Sequence, residues 1–175
     1  MSLPTATRAV FLAARPTHGG EPSPGDFYVD ELPLPALGDG QLLVANVAMS
    51  VDPSMRGRLD DTEKQYTTNF QLGSALDGSA IGRVLASTAP SVPVGAFVRH
   101  RMGWREHAVI DATGATTVDA DAAPVGAWLG VLGQTGFTAY VGLVRAAEMR
   151  AGDVVFVSAA AGAVGSVAGP IAKLL

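Results

Sequence analysis

The chain has 175 residues, a formal net charge of −4 and no cysteine. That length holds one good core and part of a second, and the acidity argues against nucleic acid as the main partner. The lack of cysteine removes disulfides, thiolate nucleophiles and any Cys-ligated zinc site in one step. About half of the residues are apolar (48%) and few are charged (16%), which suits a globular domain rather than a disordered chain.

The first apolar run, residues 9–14 between Arg8 and Arg15, is too short for a signal core or a membrane span. A soluble, cytoplasmic protein with no membrane partner is therefore expected. Residues 7–14 (TRAVFLAA) read as a strand and 16–25 as a loop dense in Gly and Pro. Residues 26–32 suggest a second strand, closed by Pro33 and Pro35. QLLVANVAMS (41–50) is apolar on both faces apart from Asn46, as a buried strand should be. Pro53 ends it and carries 51–59 out of the sheet. The polar stretch 60–70 reads as a mobile surface loop. Residues 79–87 form another strand, with Gly82 a bulge or close contact. Residues 96–101 and 104–111 read as two arms of a hairpin around Met102 and Gly103. On that hairpin His100 and His107, with Arg99, Arg101 and Arg105, form a solvated charged face, or alternatively a basic rim for an anionic ligand. Short strands with Gly and Pro punctuation describe a mostly β, barrel-like domain that ends near Pro124.

Beyond Pro124 the period changes. Residues 125–132 and 135–149 carry apolar side chains at helical spacing, including Phe137, Tyr140, Val141 and Val144, with Tyr140 expected in the core. Val154 to Val157 then make a β-branched and aromatic run, followed by a small-residue turn at 158–165 and an apolar segment of helical length. Strand, glycine turn and helix in that order open a dinucleotide-binding fold. A turn without bulky side chains lets backbone N–H groups approach a pyrophosphate, and the positive end of the helix favours the anion. Ala160 stands at the first glycine position of G-x-G-x-x-G, while Ala159, Gly162 and Gly165 make an A-x-x-G-x-x-G pattern. The same small residues could serve only to pack a helix tightly on a strand.

Pro170 lacks the N–H that would bond the Ser166 carbonyl and predicts a kinked or shortened helix. A run such as 154–157 belongs inside a parallel sheet. Exposing its four side chains forfeits about 1.5–3 kcal/mol each. The segment is expected to fray, to self-associate, or to fold only with a complementary C-terminal piece. Neither a phosphate-binding G-x-x-x-x-G-K-[S/T] loop nor a serine in a nucleophile elbow is present.

Four stretches, VDPSMR (51–56), LGVLGQTGFTAY (129–140), AGD (151–153) and SAAAGAVG (158–165), together resemble the medium-chain dehydrogenase/reductase superfamily. The nearer likeness is to its zinc-free branch of NADP-dependent enone, alkenal and prostaglandin/leukotriene reductases. The resemblance implies a mostly β GroES-like domain over residues 1–124, followed by the start of an α/β Rossmann domain over 125–175, truncated after its first strand, turn and helix. It implies NADP(H) held by Gly162, Ala163, Val164 and Gly165, with Thr138 beside the nicotinamide, and a substrate pocket edged by Ser54, Met55 and Arg56. The residue that separates NADP from NAD follows about 20 residues after the glycine turn, so NADP comes from the resemblance alone.

The reaction so implied is conjugate reduction of an α,β-unsaturated ketone or aldehyde by hydride transfer, inactive in the isolated fragment. Its partner is a small-molecule enone, alkenal or quinone, with a homodimer as the full-length form. Zinc is not expected: His18, His100 and His107 lack ligand-like spacing, and GSALDG (73–78) stands where zinc enzymes carry Gly-His-Glu. Where relatives have a tyrosine this chain has Ser54, and Gln134 and Thr135 replace the usual Met and Pro. No residue is nominated as catalytic acid or base. The alternatives are a quinone oxidoreductase of the same superfamily and, from another class, a non-catalytic GroES-like binding module.

Overall fold

The structure is a computed structural model that describes residues 2–17, 20–61 and 67–175. His18 and much of the 60–70 loop therefore lie outside the described residues. The chain divides into two units, one ending at Val118 and the other beginning at Asp119.

The first unit is built from two antiparallel sheets. Strand β1 (Ala6–Leu12) pairs along its whole length with β2 (Phe27–Pro33). Phe11 and Tyr28, directly opposite, stack with ring centroids 5.1 Å apart, the kind of cross-strand aromatic pair that stabilises a narrow sheet. The second sheet contains β3 (Gln41–Met49), β4 (Ala80–Ser87), β5 (Phe97–His100), β6 (His107–Asp111) and β7 (Thr116–Val118), in the spatial order β6-β3-β4-β5-β7. The long apolar strands β3 and β4 form its centre because they have the most side chain to bury on both faces. One core cluster lies along this sheet and includes Leu42, Val44, Val84, Val98, Ala108 and Ile110.

Gly82 marks a close contact, as its position in a strand suggests. Asn46 faces Gly82 and Ala48 faces Ile81, so Val47 is an extra residue on β3 and forms a bulge there. A Cβ on Gly82 would lie 3.0 Å from Val44 Cβ and 3.1 Å from Ala45 O. The bulge is on the strand opposite the glycine.

The expected hairpin at 96–111 does not form. β5 pairs with β4 and β7, while β6 pairs with β3 on the far side of the sheet. The connection between them crosses to the other sheet: Arg105 bridges Ala9, Met102 bridges Gly78, and Val10 N–H donates to Trp104 O at 2.9 Å. Those partners take the backbone groups that a hairpin would have paired. β7, three residues long, covers the edge of β5.

After Pro53 the chain makes a single helical turn, α1 (Ser54–Arg58). A second cluster joins Met55 and Leu59 from this turn to Leu12, Phe70 and Leu76, with Trp104 packed against it. Phe70, expected on a surface loop, is buried here.

The second unit is helical. Residues Val125–Trp128 form a 3₁₀ turn; α2 (Gln134–Val141) runs on into a π-helical turn, Gly142–Ala146; and α3 (Gly165–Leu174) follows the glycine turn. Ala139, Leu143 and Ala168 form its buried apolar cluster, with Val157, Val167 and Ile171 packed around them. Tyr140, expected in the core, is 47% exposed, because the helix turns the small Ala139 inward. α3 passes through Pro170 without shortening and reaches Leu174. No strand forms at 154–157. Among the described residues this unit has no other strand to pair with it, and a strand needs partners for its ladder. Val154 is 100% and Phe156 90% exposed, while Val157 turns onto the helices. Among the described residues no helix is long and apolar enough to cross a membrane.

Candidate functional site

Two places gather the residues that the sequence singles out, one in each unit. In the first unit these are Ser54, Met55 and Arg56, consecutive on α1. They are not equivalent. Ser54 is exposed and its hydroxyl makes no hydrogen bond among the described residues. Met55 points into the second core cluster. Arg56 is committed to structure: Nη1 donates to Asp60 Oδ1 at 2.8 Å, and Nε and Nη2 donate to the Gly20 carbonyl at 3.0 and 2.5 Å. The turn therefore leaves Ser54 as its free polar group.

Next to it stands a charged cluster that sequence reading missed. Arg58 is only 6% exposed. Its guanidinium grips the Asp77 carboxylate with both forks, at 2.6 and 2.7 Å, and Nε donates to Thr68 O at 2.7 Å. Its Cζ lies 3.8 Å from the centroid of the Phe70 ring, so one face of the cation is covered by a π surface. The Arg58 guanidinium holds the Asp77 carboxyl below its ordinary range; burial opposes this, and Arg101 and Arg105 add to it. Arg15 completes the cluster, donating to the carbonyls of Leu59, Asp60 and Phe70. Asp77 stands 19 positions after Arg58, and no local spacing pairs them.

The histidine face is also different from expectation. His100 is 3% exposed rather than solvated. Its Nδ1 accepts the Met102 N–H at 3.1 Å, and Nε2 has no partner among the described residues. Burial, with Arg105 adding to it, lowers its pKa to about 4, so the ring is neutral at neutral pH. Arg105 is no part of a basic rim either, since Nη2 donates inward to Leu76 O at 2.8 Å. Asn46, the one polar residue of β3's central run, holds the crossing segment by donating to the carbonyls of Met102 and Arg105 at 2.9 and 2.8 Å.

In the second unit the glycine turn leads directly into α3. Ala159 adopts a left-handed φ of 51°, a conformation rare outside glycine, and its carbonyl accepts the Gly162 N–H at 2.9 Å. Gly165 is required: a Cβ there would run into the Ala159 carbonyl and lie 2.8 Å from Ala160 Cα. The Ser166 N–H bonds Gly162 O at 2.8 Å, whereas the N–H groups of Ala163, Val164 and Gly165 have no protein acceptor among the described residues. These are orphan donors at the N-terminus of a ten-residue helix, where an anion is favoured. Thr138, on α2, is exposed and turns its hydroxyl back to Gln134 O at 2.8 Å.

The comparisons with known proteins agree with the motifs. Residues 8–118 match the family described as the N-terminal domain of oxidoreductase. The NADPH-dependent curcumin reductase of Escherichia coli is 38% identical over 165 residues, covering 93% of this chain and 46% of that protein. An NADP(+)-dependent 2-alkenal reductase of Nicotiana tabacum is 37% identical over 139 residues, covering 79% of this chain and 40% of its own length. The crystal structure of CurA from Vibrio vulnificus in complex with NADPH superposes with a TM-score of 0.85 at 34% identity, over 95% of this chain and 49% of that one. The chain spans about half the length of the relatives it matches. With its mostly β first unit and the glycine turn in its second, it belongs to the oxidoreductase family defined by that N-terminal domain, within the medium-chain dehydrogenases/reductases.

Proposed function

We propose that this chain is the N-terminal portion of an NADP-dependent oxidoreductase that reduces the C=C bond of α,β-unsaturated ketones or aldehydes. Residues 1–124 are its GroES-like domain and 125–175 open its Rossmann domain. The observation that carries the reading is the glycine turn: three amides at the head of α3 that have no protein acceptor among the described residues, in a backbone path that a Cβ at Gly165 would obstruct. That donor set fits a pyrophosphate. The names of the curcumin and alkenal reductases support the cofactor and the substrate class.

NADPH, when bound, supplies a hydride to the β-carbon of the enone. The chain's own residues then have distinct roles. Ala163, Val164 and Gly165 bind the cofactor's pyrophosphate through backbone N–H groups, and Thr138 borders its nicotinamide. Ser54 offers a hydroxyl to the substrate side of α1, while Met55 and Arg56 hold that turn from behind. No proton donor is assigned to the 175 residues, and the isolated chain is not expected to turn over.

The test is a titration of NADPH, read by its own fluorescence, against this chain and against the chain completed to the length of its relatives. The completed protein should bind NADPH and oxidise it with a 2-alkenal. Failure of the completed protein to bind NADPH refutes the proposal. Turnover with quinones and none with alkenals moves the assignment to the quinone oxidoreductases.

A further inference from the structure

We propose that Arg58, locked to Asp77, is the positioning residue for the Ser54-bearing turn, so that this pair sets where the substrate-side hydroxyl stands. The inference rests on the functional reading above for the role of Ser54, and on geometry for everything else. α1 has five residues and no side-chain cap at Pro53. A helix that short does not hold its shape alone, so its position must come from what grips it.

Three arginines do so. Arg58 reaches out of the turn to Asp77, to Thr68 O and over Phe70, while its own carbonyl accepts the Phe70 N–H at 2.9 Å. Arg15 takes the carbonyls at the end of the turn, Leu59 and Asp60, and also Phe70 O. Arg56 closes the turn on itself through Asp60 and ties it to Gly20. All three grips hold the backbone or the inward side, and Ser54 is left outward and free. Of the three, only Arg58 forms a bidentate carboxylate pair, which adds direction as well as attraction. With Arg58 buried and Asp77 partly exposed, the pair adds little net stability over an apolar replacement, while its two-pronged fork fixes one geometry.

The charged groups that face Asp77 are Arg58 from α1 and Arg101 and Arg105 from the segment between β5 and β6. All are cations, so protonating Asp77 removes the one anion among them. Because the Asp77 carboxyl is held below its ordinary range, the grip persists at neutral pH and is lost only in acid.

The experiment is amide hydrogen exchange on the 175-residue chain, corrected for the intrinsic rate at each pH, in wild type, D77N and D77E. Exchange at Met55, Arg56, Leu59, Asp60 and Phe70 should rise at least ~tenfold in D77N, with Val44 and Val84 in the central sheet within about twofold of wild type. D77E, which keeps the carboxylate, should restore part of the protection. The wild type should lose protection at the same amides as the pH falls through the Asp77 range, and D77N should not. If D77N fails to fold, R58K keeps the charge, loses the fork and gives the same readout. A rise spread equally over the sheet, or no rise, overturns the inference.

In the completed enzyme, D77N should raise KM for the alkenal and leave KM for NADPH unchanged. An unchanged alkenal KM despite loosened exchange also overturns it. If wild type turns over no alkenal at all, the functional reading falls, and the exchange pattern by itself decides whether the clamp exists.

Discussion

His100 makes the chain's stability depend on pH in a definite window. Its Nδ1 accepts the Met102 N–H, so the ring's one proton sits on Nε2. A second proton would have to go on Nδ1, where it would face another donor inside the core. Burial, with Arg105 adding to it, holds the folded pKa at about 4, against an ordinary value of 6.5. For a base with a depressed folded pKa, the unfolded state binds the proton first. Stability is then complete above the unfolded pKa and is lost as the pH falls toward the folded one. Between neutrality and about pH 4.5 the linkage costs about 2–3 kcal/mol, a large part of a domain's typical stability of about 5–15 kcal/mol. Asp77 does not confuse the measurement. Its pKa is lowered from 3.8, so its contribution is complete above that value and is lost only below it.

The assay is urea unfolding followed by Trp104 fluorescence in a Trp128→Phe background, which silences the second unit's indole. His100→Asn places an amide oxygen where Nδ1 was, keeps an acceptor for Met102 and cannot titrate. The wild type should lose about 2–3 kcal/mol between pH 7 and 4.5 and the variant almost none. Equal losses in the two proteins would show that His100 is not the group responsible.

Other perturbations test the packing and the turn. Gly82→Ala puts a Cβ 3.0–3.1 Å from Val44 Cβ, Ala45 O and Asn46 Oδ1, and should cost the first unit about 1–3 kcal/mol in urea unfolding; an unchanged midpoint means the bulge can yield. Gly165→Ala forces the Ala159 carbonyl aside and should weaken NADPH binding by the completed chain at least ~tenfold, about 1.4 kcal/mol, with the first unit's unfolding unchanged. Retained affinity would move the cofactor away from this turn. Phe156→Ser removes one of the most exposed apolar side chains, at 90%, and should reduce self-association in sedimentation and binding of a hydrophobic dye. A wild-type chain that is monomeric and binds no dye contradicts the expectation.

Local order was largely legible in the sequence. The runs that became β1, β3 and β4 are largely apolar stretches bounded by Pro and Gly, and their physics is contained in a few neighbouring residues. The glycine turn is of the same kind: the need for a missing Cβ at Gly165 comes from Ala159 and Ala160, a few positions away. The family followed from the order of four short motifs, because order and spacing survive in a sequence even where single residues depart.

Only tertiary structure could decide the rest. β5 and β6 resemble hairpin arms by alternation, yet they lie on opposite sides of β3 and β4 because the segment between them finds partners in Ala9, Val10 and Gly78. Arg58 and His100 look like surface residues by type. Their burial depends on Asp77, Phe70 and Met102, groups that the fold brings to them and that alternation along one strand or turn cannot reveal. Val154 to Val157 mark the limit from the other side. Their β-branched and aromatic character reads as a buried strand, but a strand is a property of at least two segments, and among the described residues of the second unit there is no other.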